Sequence, residues 1–457
     1  MPTPRLTRLG SQLPLVEAIL AQGALNPTYD DLAAVTGLSS RTVANGLAAL
    51  RERDLVRTSP PRLGRAWGSV LSIAVGAESC RAGLVDANAD VYYPVELPPC
   101  RGQAALPPAD LLKRVVEAAN AVLAQASVDP DFAVDGQVPL IGVATAWPWP
   151  VRKNKRPAGT MLHPDWLAED RSLPEIVAEA IGCPPDRTHA LNDANAHALA
   201  VVYDKTRSRG RADDETDWSI ALVLRIGGRL GASTMIVHPH KAARLAFVDS
   251  IMLGGARGLA GEIAHLPIDQ AVVDELNQRG SWVDRLAPLS TEWLCSCGQH
   301  GHLEALASGE AWRRRMVESD AMTPSLLEGM QRHELATEDF RDPRIIPALE
   351  DLGRLIGRSL STPILLLDPS SITLTGSFAV DQVINGILAE REKWRHVFGD
   401  ALTIDAIRGH NEKYLGVRGA ALAALRSQIY REFAKHLTAD PARPTALFSL
   451  EQPASRA

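Results

Sequence analysis

The sequence predicts an α/β protein with an N-terminal winged helix-turn-helix and two further lobes that face a cleft. Three observations carry that prediction. Two short helical patterns over residues 30–50 are joined by Thr36-Gly37 and followed by an arginine-dotted turn region. Past Trp67, the apolar runs LIGVATAW, IALVLRI and SSITLTG have the look of buried strands and alternate with helical stretches such as LLKRVVEAANAVLAQA. A chain of 457 residues also exceeds what one hydrophobic core supports, so two or three domains are expected.

In the first segment, Leu15, Val16, Ile19 and Leu20 recur at helical spacing until Asn26-Pro27-Thr28 breaks the pattern. Leu32, Ala33 and Val35 belong to a second helix. Ser39 can cap a third, with Val43, Leu47 and Leu50 on its buried face. Ser40, Arg41, Thr42 and Asn45 then point away from the core, with donors and acceptors suited to phosphates and base edges of operator DNA. RTSPPRLGRAWG supplies Arg57, Arg62 and Arg65 on an expected hairpin wing. Eight arginines against five acids in residues 1–68 give a local balance of +3, against -6 for the whole chain. That excess is modest, so DNA binding rests on the pattern. A small helical protein-interaction module would share it.

The N-terminus lacks the apolar core of a signal peptide, and no run of 18 apolar residues marks a membrane span. Five scattered cysteines are poor material for a disulfide framework and suit a reducing cytoplasm. The charged run 205–217 is expected to be a solvated surface insertion.

Four constellations carry candidate chemistry. Asn192-Asp193 in ALNDANAHALA falls at a strand-to-helix junction, where a carboxylate can accept a hydroxyl proton; helix capping alone explains it equally well. Glu262 and His265 in LAGEIAHLPI share one face of a helical turn. Cys295-x-Cys297 with His302 supplies three metal ligands, one short of the closed tetrahedral set of structural zinc, and His265 is the candidate fourth. His300 competes with His302, and a reduced dithiol without metal is the alternative. The fourth is a pair of glycine-containing stretches, Ala74-Val75-Gly76-Ala77-Glu78-Ser79 and Gly227-Gly228-Arg229-Leu230-Gly231-Ala232-Ser233, whose meaning comes from a family resemblance.

A winged helix, NDANA, GEIAH and CSCGQHGHLE in this order resemble the ROK family (repressors, open reading frames and kinases), over about residues 13–431. The resemblance implies a two-lobed, actin-like and sugar-kinase-like (ribonuclease H-like) fold. It implies that Asn192, Asp193, Glu262, His265 and Glu304 line a sugar pocket, with Asp193 the catalytic base if kinase activity persists, and that His265, Cys295 and Cys297 bind zinc. His302 stands where the family usually has a third cysteine, giving Cys2His2. The expected division is 1–68 for the DNA-binding domain, 69–190 for lobe 1 completed by a C-terminal helix at about 411–432, 191–410 for lobe 2, and a mobile tail over 435–457.

The family's D-x-G-G-T-K has lost its acid to Ala74 and its threonine to Glu78, a carboxylate that would repel phosphates. Arg229 fills space that glycine leaves for backbone approach, and Thr375-Gly376 replaces the family's Gly-Gly. ATP and Mg²⁺ are therefore not expected. Trp147 and Trp149 either stack on a sugar or pack the lobe, and His163-Pro164-Asp165-Trp166 replaces N-x-x-W, so sugar preference does not transfer. The expectation is a sugar-responsive regulator, dimeric or tetrameric, with structural zinc. A bifunctional sugar kinase and a regulator that no longer senses sugar are the alternatives.

Overall fold

A computed structural model describes residues 27–58, 61–64, 67–76, 80–98, 108–149, 151, 172–208, 219–237, 250–255, 258–279, 293–317, 324, 339–393, 395–399, 402–407 and 413–438, with 12, 14–16, 18 and 19 of the first segment. Residues 152–171, including His163-Pro164-Asp165-Trp166, lie outside that set. So do Arg65, Ala77-Glu78-Ser79, residues 209–218 of the charged run, and everything after 438.

The N-terminal unit has the predicted order of helix, turn, helix and hairpin. Helix α1 (Tyr29–Thr36) starts at a capping box in which Thr28 and Asp31 each accept the other's backbone N–H, and stops at Gly37 in the left-handed region, φ 70°. Helix α2 (Ser40–Arg51) starts where the Ser39 hydroxyl accepts the Thr42 N–H at 3.2 Å. Val43, Leu47 and Leu50 are fully buried on its inner face. Strands β1 (Val56–Thr58) and β2 (Pro61–Leu63) form an antiparallel hairpin that pairs Arg57 with Arg62.

Two five-stranded sheets follow, and their strand orders are the same. In the first, β3 (Ser69–Val75), β4 (Cys80–Asp86) and β5 (Val91–Leu97) run as an antiparallel meander. Helix α3 (Pro108–Ala126) covers them. Strand β6 (Leu140–Trp147) then pairs parallel to β3, and after α4 (Leu173–Ile181), β7 (Thr188–Asn192) pairs parallel to β6. Helix α5 (Asp193–Ser208) leads to the second sheet, where β8 (Ser219–Ile226), β9 (Leu230–Val237) and β10 (Ser250–Met252) repeat the meander. Then come α6 (Gln270–Arg279), α7 (Leu303–Ala307), α8 (Gly309–Val317) and α9 (Ile346–Leu367). Strand β11 (Ser371–Thr375) pairs parallel to β8, α10 (Asp381–Lys393) follows, and β12 (Thr403–Ala406) pairs parallel to β11. The resulting orders are β5-β4-β3-β6-β7 and β10-β9-β8-β11-β12.

Burial follows from topology. Every residue of β6 is buried, because helices cover both faces of a parallel strand, whereas edge strand β5 is mostly half-buried. VLSIAVGAESCRAGLVDANADVYY supplies nearly all of β3, all of β4 and the start of β5. The C-terminal helix α11 (Leu415–Thr438) returns to the first sheet, where the buried Ser72 hydroxyl donates to the Val417 carbonyl at 2.6 Å. Among the described residues, no helix is long and apolar enough to cross a membrane.

Helices α9 and α10 meet backbone to backbone. A Cβ at Gly386 would lie 2.0 Å from the Glu350 carbonyl oxygen, and one at Gly353 2.1 Å from that of Val383. Gly386→Ala must push the helices apart, and should lower unfolding stability by about 1–3 kcal/mol in denaturant titration. An unchanged midpoint would show that this interface has slack.

Candidate functional site

The C-terminal ends of β7, β8 and β11 come together around the first turn of α5. Asn192 ends β7, and its Oδ1 accepts the Asn195 N–H at 3.2 Å, so it caps α5 while lying almost fully buried. Asp193 is the first residue of α5. Its Oδ1 accepts the Ala194 N–H at 2.8 Å, and its Oδ2 lies 3.0 Å from an Nη of Arg225, the penultimate residue of β8. Both carboxylate oxygens of the would-be base are therefore engaged.

One turn along α5 stands His197, half-buried. Its Nδ1 lies 3.3 Å from the Thr375 hydroxyl at the end of β11. A Cβ at Gly416 would be 3.1 Å from Ala74 Cβ and 3.4 Å from His197 Nε2, which places the imidazole near Ala74. Burial, then the charges of Arg225 and Arg81, push His197 well below the ordinary histidine range, so the ring is neutral. Gly376 follows Thr375 with φ 97°, and a Cβ there would strike the Ile226 carbonyl oxygen at 2.4 Å. The β8–β9 connection is a tight turn in which Gly227 N–H donates to the Arg229 carbonyl at 3.0 Å.

Opposite Asp193 stand two further carboxylates. Burial, and then the charges of Asp193 and Glu304, raise Glu262 to about 7, so near neutral pH it is divided between donor and acceptor forms. Glu304, buried at the start of α7, receives the Ser296 hydroxyl and, at 3.3 Å, the Cys295 thiol on Oε2. Glu262 Oε2 lies 3.7 Å from His265 Nε2 across a 3₁₀ turn, Ile263–His265, rather than an α-helical one.

The stretch from Trp293 to His302 folds as a knuckle. Cys295 N–H donates to the Gln299 carbonyl (2.8 Å), Gly298 N–H to Cys295 (2.9 Å) and Gly301 N–H to Trp293 (3.0 Å), with Gly298 and Gly301 at φ 83° and 72°. Ile268 N–H donates to Gly301 and Leu303 N–H to Leu266, which locks the knuckle to the segment after His265. His265, Cys295, Cys297 and His302 consequently present ligand atoms all within 4.8 Å of one another. His265 Nδ1 is 3.2 Å from Cys295 Sγ, and His302 Nδ1 is 3.1 Å from Cys297 Sγ, close to the roughly 3.5 Å edge of a tetrahedron of sulfur and nitrogen donors. His265 is lowered from its usual value mainly by burial, which favours the neutral, metal-binding ring. Burial, with Glu304 beside it, pushes the Cys295 thiol up to about 12, so a cation entering here displaces a proton. The four residues fit a metal ion. His300 is exposed and lies outside the cluster.

Other sequence candidates fall as follows. Ser40, Arg41, Asn45 and Arg57 are exposed, and Ser40 Oγ donates to Asp30 at 3.1 Å. Thr42 differs: it is half-buried, with its amide and hydroxyl both on the Ser39 cap. Trp147 and Trp149 stack on each other with ring centroids 5.2 Å apart, both buried, so they pack the lobe. Cys80 and Cys183 are buried, and neither they nor Cys295 and Cys297 form a disulfide. Arg225 and His197 went unrecognised in the sequence. Their signals were a charged residue inside the apolar run IALVLRI and a histidine four residues after Asp193.

Comparison with known proteins gives this arrangement a relationship. The ROK family profile matches residues 246–427. A ROK family transcriptional regulator, a homologue of the E. coli MLC protein, superposes with a TM-score of 0.59 at 18% identity, over 94% of this chain and 100% of its own. A ROK family glucokinase from Streptomyces griseus, in complex with glucose and AMPPNP, superposes with a TM-score of 0.54 at 19% identity, over 78% and 98%. No curated protein sequence matches significantly. At these identities the likeness is one of fold. Residues 246–427 thus resemble a ROK family domain, in a chain that shares its two-sheet fold with a ROK glucokinase and a ROK regulator.

Proposed function

We propose that the chain is a sugar-responsive, DNA-binding transcriptional regulator whose cleft keeps its sugar side and has lost its nucleotide side. The observation that carries this reading is the Arg225–Asp193 ion pair, 3.0 Å, beside a neutral His197 that lies near Ala74. Phosphoryl transfer needs bound Mg²⁺, cradled phosphates and an oriented hydroxyl together. Here the acid position is alanine, the Gly227 N–H is turned into its own loop, and the base is held by a guanidinium. Glu262 and Glu304 remain as hydrogen-bonding groups for sugar hydroxyls, with Asp193 as a ligand rather than a base.

The N-terminal unit would supply the DNA contacts. Arg41 and Asn45 would approach base edges, with Ser40 and Thr42 at the helix start toward phosphates and Arg57, Arg62 and Arg65 toward the backbone. Two copies in a dimer, or four in a tetramer, would read half-sites of a pseudopalindromic operator. Sugar would act through its differential affinity for open and closed cleft states. Zinc is the cation that two thiolates and two imidazoles select over Mg²⁺, and its role would be to hold the knuckle bearing Glu304 against the turn bearing Glu262.

A thermal-shift screen of sugars, sugar phosphates and ATP–Mg²⁺ tests the reading. A sugar should raise Tm and ATP–Mg²⁺ should not, with Glu304→Gln weakening the sugar by about tenfold. Steady ATP consumption abolished by Asp193→Asn would make it a kinase, and a flat sugar panel would remove sugar sensing. Arg57→Ala, on the wing, should lower affinity for duplex DNA and reduce the slope of its salt dependence by about one. Elemental analysis should find stoichiometric zinc in the fresh protein and little in Cys297→Ser; metal-free wild type would eliminate the zinc site.

A further inference from the structure

We propose that Asn88 is the positioning residue for the wing, and that Tyr203 on α5 connects it to the cleft and to the second lobe. Asn88 lies in the turn between β4 and β5 and is 8% exposed. Its carboxamide behaves as an extra strand residue toward the wing: Oδ1 accepts the Leu63 N–H at 3.0 Å and Nδ2 donates to the Leu63 carbonyl at 3.2 Å. Asp86 holds that carboxamide in place, accepting from Asn88 Nδ2 and N, both at 2.9 Å, and from Asp90 N at 3.0 Å. Leu63 is itself buried, so a wing strand that let go would leave two backbone groups without partners. On the other side of β1, the Trp67 indole N–H donates to the Leu55 carbonyl at 2.8 Å, and Gly64 N–H donates to the same oxygen at 2.9 Å.

The far side of the turn is gripped by α5. The Tyr203 hydroxyl donates to the Asn88 carbonyl at 3.2 Å. Asp204 pairs with Arg418 of α11 at 2.8 Å, and Arg418 Nε also donates to the Ala89 carbonyl at 3.3 Å. Lys205 Nζ donates to the Thr373 hydroxyl of β11 at 2.6 Å and to Asp405 of β12 at 2.7 Å. Residues two apart on a helix point about 200° away from each other, so Tyr203 and Lys205 are held from opposite sides. Three consecutive residues therefore tie one helix to the wing clamp, to the C-terminal helix and to the second sheet. The same helix begins at Asp193, about 15 Å away along its axis. A change in lobe spacing rotates or slides α5, and Tyr203 and Asn88 deliver that displacement to Leu63.

The regulatory meaning rests on the proposed DNA-binding reading, but the linkage can be tested with neither sugar nor DNA. Amide hydrogen exchange of the full chain should show β1 and β2 exchanging about 5- to 30-fold faster in Tyr203→Phe, while β3 and β6 stay unchanged. Lys205→Ala, which frees α5 from the second sheet, should alter wing exchange in the wild-type background and not in the Tyr203→Phe background. Asn88→Asp, which removes the donor to the Leu63 carbonyl and keeps an acceptor, should speed wing exchange without disturbing α5. Unchanged wing exchange in Tyr203→Phe, or strictly additive effects of the Tyr203 and Lys205 changes, would overturn the linkage. A flat sugar screen would instead remove the sensing role and leave the linkage standing.

Discussion

Helices α5 and α11 cross at a distance only glycine and alanine permit, and the rest of the molecule is arranged around that crossing. An ideal Cβ at Gly419 would stand 1.6 Å from the Ala196 carbonyl oxygen. The two helices share one apolar cluster with the N-terminal unit, with the inner residues of β3 and β6, and with Ala221, Val223 and Met235 of the second sheet. A single continuous core thus runs from Leu47 of the helical pair to the second lobe. Contact through packed backbones transmits displacement, because interiors at crystal-like density cannot absorb it locally.

The cleft has a divided electrostatic character for the same reason. Asp193 opens α5, and His197 follows one turn later on the same helix, so both are carried by the element that the crossing fixes. Opposite them, Arg225 and Thr375 end strands of the second sheet. The Arg225 guanidinium pairs with Asp193, and the His197 imidazole reaches the Thr375 hydroxyl. Glu262, already raised by burial, lies close enough to the carboxylates of Asp193 and Glu304 to be raised further. Arg225 pairs directly with one of the three acids, while Arg81 and Arg229 act on His197 and His265 through their charge.

The knuckle obeys a different constraint. Residues 293–302 form little apolar core, and the loop holds its shape through three internal backbone hydrogen bonds and two left-handed glycines. Its four ligand-bearing side chains come from two segments thirty residues apart, brought together by the pairing of Ile268 with Gly301 and of Leu303 with Leu266. Glu304 is tethered to the same loop through Ser296 and Cys295, so the position of this cleft carboxylate depends on the knuckle's shape.

Much of this was legible in the residues alone. Helical spacing, the Ser39 cap and the Gly37 stop determined the N-terminal helices, because those signals act within one turn of chain. The apolar runs determined the central strands, and the order of NDANA, GEIAH and CSCGQHGHLE pointed to a ROK-like domain and to the residues of the Cys/His cluster. Short-range patterns could not reveal that two sheets repeat one strand order, since their sequences share no visible period. Nor could they pair Arg225 with Asp193, Asn88 with Leu63 or Tyr203 with Asn88. Those contacts join residues 25 to 115 positions apart, and only the folded chain decides which distant polar groups share a buried space and must satisfy one another.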